Sequence, residues 1–82
     1  MDDIDKVRDF IKARVTPLRD ASYDAEDRKA LQALLDLATV TRGVAESQIR
    51  SGEDPVLPYF YLCTAARQWH DHPDFLPEWK NG

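Results

Sequence analysis
The residues best suited to chemistry lie near the end of the chain, where His70, Asp71, His72 and Asp74 crowd into one short stretch. These are metal-ligand types, but a zinc site needs three or four ligands converging on one point. On a helix His70 and His72 point about 200° apart, so convergence requires that the helix has already ended. No second group that includes a histidine stands elsewhere in the sequence. The plainer reading is a helix terminus, with the histidines near its negative end and Asp74 free to cap the next turn. No metal, cofactor or catalytic residue is assigned.

Cys63 is the single cysteine and sits between Leu62 and Thr64 in the most apolar stretch. It has no internal disulfide partner. A catalytic thiol wants a histidine beside it, whereas His70 lies seven residues on, about 10 Å away along a helix. A small buried hydrophobe is the simpler role. The motifs GxSxG, GxGxxG, HExxH, CxxC and the P-loop do not occur, and nearly every acid falls on a predicted wet face or at a cap. The expectation is a protein that is not an enzyme. No apolar run approaches the 18 or so residues of a membrane span, and no signal-peptide core follows Met1. With one unpaired cysteine, this reads as a cytoplasmic chain with no membrane contact.

Aromatic residues are the other concentrated feature: Tyr59, Phe60, Tyr61, Trp69, Phe75 and Trp79. Three are consecutive, so on a helix they point in different directions and cannot all face a core. Tyrosine and arginine make strong anchors once desolvated, which marks Tyr59, Phe60, Tyr61 and Arg67 as the candidate partner-binding residues. A DNA-reading helix should instead expose arginine, lysine, asparagine or glutamine. The third predicted helix offers only Arg67 and Gln68, behind Glu53 and Asp54. The net charge of -4, from 15 acids against 11 bases, is also the wrong sign for phosphate, so nucleic acid is not the expected partner.

These residues are positioned by helices. Ile4, Val7, Ile11, Val15 and Leu18 recur at steps of three and four, which is the apolar stripe of an amphipathic helix, with Asp2 or Asp3 as its cap. Pro17 interrupts that stripe without breaking its phase, favouring one kinked helix over a fresh start capped by Thr16. Ser22 or Asp24 opens a second, long helix whose face runs through Leu31, Leu34, Leu35, Ala38, Ala45 and Ile49, and Gly52 closes it. Leu37, Val40 and Val44 widen its apolar arc beyond what one neighbour covers. A homodimer through this second helix is the consequence. Pro55 and Pro58 suit the entrance of a third helix, with Tyr59, Leu62, Ala66 and Trp69 facing inward and Pro73 as its stop. In the tail, Phe75 and Trp79 at i and i+4 can fold one turn back on the core.

The predicted elements are helices near residues 3–21, 25–51 and 57–72. Together they make an all-α fold, a small three-helix bundle with a long central helix and a C-terminal helical turn. Eighty-two residues suffice for one domain, which at this size buries only about 60 to 65% of its unfolded surface.

The ending Trp69-His70-Asp71-His72-Pro73-Asp74-Phe75-Leu76-Pro77-Glu78-Trp79 resembles the "DHPDY..EW" ending of a family of short uncharacterised proteins of actinobacteria and their bacteriophages. The opening Met1-Asp2-Asp3, with Phe10-Ile11-Lys12-Ala13-Arg14, is similar to that family's start, whereas the tryptophan-containing central stretch of many relatives is missing. The resemblance implies a cytoplasmic bacterial or phage accessory protein and hands over no functional residue. Taken with the residues themselves, it points to a protein–protein interaction module, a phage or mobile-element factor acting on a host protein. The alternative is a helix-turn-helix DNA-binding regulator.

Overall fold
Hydrophobic spacing becomes packing in α1 (Asp2–Ala21), the first of three helices in a computed structural model that describes residues 2–80. Ile4, Val7, Ile11 and Val15 are buried, because steps of three and four keep them on one side of the cylinder. The stripe stops one residue short of expectation: Leu18 is half exposed, and Phe10 takes a buried place instead. Pro17 lies inside the helix. It removes the donor that would meet the Ala13 carbonyl, but Ala13 lies on the exposed side, so no buried group is orphaned. Asp2 and Asp3, expected as the cap, both fall within the first turn of the helix, and what precedes it lies outside the described residues.

After a three-residue turn, α2 (Ala25–Arg50) runs back along α1. Of the two caps expected, Asp24 is the one used: its carboxylate accepts from the Glu26 and Asp27 amides at 2.8 and 3.1 Å. Two of the four amides left open at a helix start are thereby satisfied. At the far end Gly52 adopts φ of 79°. Its amide reaches the Ile49 carbonyl while the Glu53 amide reaches Gln48 at 2.8 Å, the paired closing bonds of a Schellman motif. An added side chain at Gly52 would strain this left-handed backbone, so Gly52→Ala should lower stability by about 1 kcal/mol. Gly43 behaves oppositely: it is helical, and a methyl group there would meet nothing within 4 Å. Gly43→Ala should raise stability by roughly 0.5–1 kcal/mol. Paired thermal melts of the two variants test both signs.

Helix α3 (Val56–Ala66) is shorter than the stretch 57–72 predicted for it. From Arg67 to Trp69 the chain tightens into a 3-10 turn, and Pro73 then bars a return to α-helix at the residue before it. A second 3-10 turn, Pro77–Lys80, closes the tail. Asp74 does not cap it. Pro77 itself opens the turn, its fixed φ suiting a first helical position, and the Trp79 amide bonds the Leu76 carbonyl.

The three helices and the tail share one core. Leu35, Ala38 and Ala45 come from α2, Leu62, Cys63 and Ala66 from α3, and Phe75 and Trp79 from the tail. Phe10 is the hub of the tail's attachment, with ring centroids 5.1 Å from Trp79, 6.0 Å from Phe75 and 5.6 Å from His72. These tilted and edge-on contacts suit the ring quadrupoles. The architecture is all-helical, with α2 as its long central member and no strand among the described residues.

Candidate interaction surface
Helix α2 gives one face, with Leu35, Ala38 and Ala45, to the core, so the flank turned away from α1 and α3 has no neighbour. Leu37 and Val40 are each 62% exposed and Val44 46%. Beside Leu37 stands Tyr61 of α3, 57% exposed. A shallow apolar groove runs between the two helices, lined by Leu34, Leu37, Thr41, Tyr61 and Ala65, with Ile11 at its floor.

The four candidate residues read from the sequence do not form one set. Phe60 and Tyr61 are exposed, their rings 6.2 Å apart and edge-on. The Arg67 guanidinium lies 5.6 Å from the Phe60 centroid, within cation–π reach. Its Nε also donates to the Trp79 carbonyl at 3.4 Å, so the tail holds the arginine over the ring. Tyr59 is turned toward the core and packs with Cys63 one helical turn on.

That inner pair is chemically quiet. Burial, above all, pushes the Tyr59 phenol up to about 12, with Cys63 adding to it. Burial likewise raises the Cys63 thiol, partly opposed by its hydrogen bond to Tyr59. Both shifts favour the neutral forms, the reverse of what a nucleophile needs. For an acid raised in the folded state, the stabilisation is complete below its ordinary value near 10 and lost as pH climbs through the folded value. Urea melts should therefore show stability falling from about pH 10 upward, and Tyr59→Phe should reduce that fall. An unchanged alkaline slope in the variant would contradict the assignment.

The histidine cluster disperses. His70 is exposed beside Asp71 at 3.0 Å, while His72 folds back on α1, with Nε2 against Arg14 and Nδ1 3.0 Å from the Asp74 amide. Arg14 also lies 5.8 Å from the Phe10 ring. Its side chain thus borders the groove where the tail meets α1, together with Phe10, Leu76 and Trp79. Among the described residues no three metal-ligating side chains come together, and no helix is long and apolar enough to cross a membrane.

Phe10 and Arg14 follow Val7 at steps of three and four in the sequence, whereas His72 joins them only through the fold of the tail. No family model, curated protein or solved structure matches this chain.

Proposed function
We propose that this chain is a protein–protein interaction module whose anchors are Phe60, Tyr61 and Arg67. The observation that carries the reading is their geometry: two exposed aromatic rings in contact, with an arginine stacked on one and held there by the tail. Such residues dominate binding once desolvated. Their exposure costs solubility, which a contact with another protein would offset. The resemblance of the ending extends the proposal to a phage or mobile-element accessory factor acting on a host protein in the cytoplasm. Self-association through α2 belongs to the same reading. No observation favours the DNA-binding alternative, because the outer surface of α3 presents Val56, Leu57, Phe60 and Tyr61 rather than a base-reading set.

The test is affinity capture of the full chain from an actinobacterial lysate, with and without nuclease, alongside Phe60→Ala and Arg67→Ala. The expected result is a stoichiometric protein that survives nuclease and is lost with either variant. Recovery of DNA that disappears at raised salt would overturn the proposal in favour of the regulator.

A further inference from the structure
We infer that two copies of this chain pair antiparallel through the outer flank of α2, with Leu37 of each copy set against Val40 of the other. The inference rests on the interaction-module reading and names a second copy as the occupant of one of its surfaces. Helix α2 carries two parallel stripes. The inner one, including Leu31, Leu35, Ala38 and Ala45, is spent on the core. The outer one is Ala30, Ala33, Leu37, Val40, Val44 and Ser47, all exposed. Its steps alternate three and four, the period at which one helix keeps a continuous seam against another.

The seam complements itself. A two-fold axis between Leu37 and Val40 places Ala33 opposite Val44 and Ala30 opposite Ser47, so a smaller residue meets a larger one and each contact occurs twice, as an isologous interface requires. The bordering groove residues Leu34, Thr41, Tyr61 and Ala65 carry no charge. On the seam's other side Lys29, Asp36 and Arg50 are exposed and stay at the solvated rim, so two chains of net charge -4 meet with no ion at the centre of the contact, where burying one is costly.

The area fits a reversible dimer. The chain exposes 5425 Å², against about 5,000 Å² for an ordinary monomer of its mass. The seam from Ala30 to Val44 is about 21 Å long and, with α3 alongside, about 20 Å wide, a footprint near 400 Å² per copy. At about 800 Å² over both copies it falls below the standard size of a specific interface and matches a weak, reversible association.

Sedimentation equilibrium of the full chain tests this. The apparent mass should rise from monomer toward dimer with concentration, Val40→Glu should hold it at monomer with an unchanged melting temperature, and Phe60→Ala should leave the association intact. Register is read by thiol cross-linking, for which the fully buried Cys63 gives no background. Ala30→Cys mixed with Ser47→Cys should link readily, and Ala30→Cys alone should not, its copies being about 25 Å apart. A monomer mass up to about 1 mM, the weak end of measurable association, or undiminished association in Val40→Glu, would overturn the dimer. Self-linking of Ala30→Cys would overturn the antiparallel register. Because the capture assay turns on Phe60 and Arg67, its failure leaves a confirmed dimer standing, and the reverse also holds.

Discussion
Replacing Trp79 by alanine is expected to cost about 3–5 kcal/mol, the range for deleting a large buried aromatic. In a domain of this size each kcal/mol lowers the melting temperature by about 4–8 °C, so the loss amounts to a large part of the total stability. Trp79 is 2% exposed and its ring meets both Phe10, at 5.1 Å, and Phe75, at 5.4 Å. Truncation leaves those two rings facing a void that the short 3-10 turn cannot fill by collapsing, since Pro77 restricts its backbone. A chain ending at His72 should fare worse, because it also loses Phe75. The effect reaches the anchors as well: Arg67 is tied to the Trp79 carbonyl, so removing the tail frees the guanidinium from its place over Phe60. Thermal denaturation followed by circular dichroism checks the first effect, and partner capture by the truncated chain checks the second. If the chain ending at His72 melts with the full one, the tail is a free segment and its packing contributes nothing.

What the sequence made legible follows the strength of local signals. Asp24 and Gly52 bound α2 as expected, because a carboxylate able to reach two open amides and a residue without Cβ each solve a problem of that helix end alone. Existence of the three helices was equally legible, since a stripe such as Ile4, Val7, Ile11 and Val15 has one natural period. The end of α3 was not. Trp69 and His70 carry good helical spacing, but the chain must turn there to bring Phe75 and Trp79 across α1, and that demand comes from tertiary packing rather than from neighbours in sequence. Asp74 failed as a cap for a related reason: Pro77 starts the turn three residues later. The candidate surface was half visible. The adjacency of Phe60 and Tyr61 shows in the sequence, whereas the inward turn of Tyr59 and the seating of Arg67 depend on how α3 rotates against α1 and the tail.

Ile11 and Leu18 belong to the same apolar stripe of α1, yet their truncation should differ several-fold. Ile11→Ala is expected to cost about 2–5 kcal/mol, while Leu18→Ala should cost less than about 1 kcal/mol. Ile11 is fully buried and sits beneath the junction of α2 and α3, beside Ala38 and Leu62. Three helices meet over it, so none can move in to fill the space left without losing its other contacts, and the cavity cost adds to the transfer cost. Leu18 lies at the end of the α1–α2 hairpin, where α3 does not reach, and is half exposed; little apolar surface returns to water when it is cut back. The comparison separates two accounts of α1. If both variants lose the same stability in urea melts, the helix is held by its stripe along its whole length and the hairpin end is covered by something beyond the three helices. If Ile11→Ala alone unfolds easily, the core is concentrated where α3 crosses, and the bare hairpin end contributes little to holding the fold.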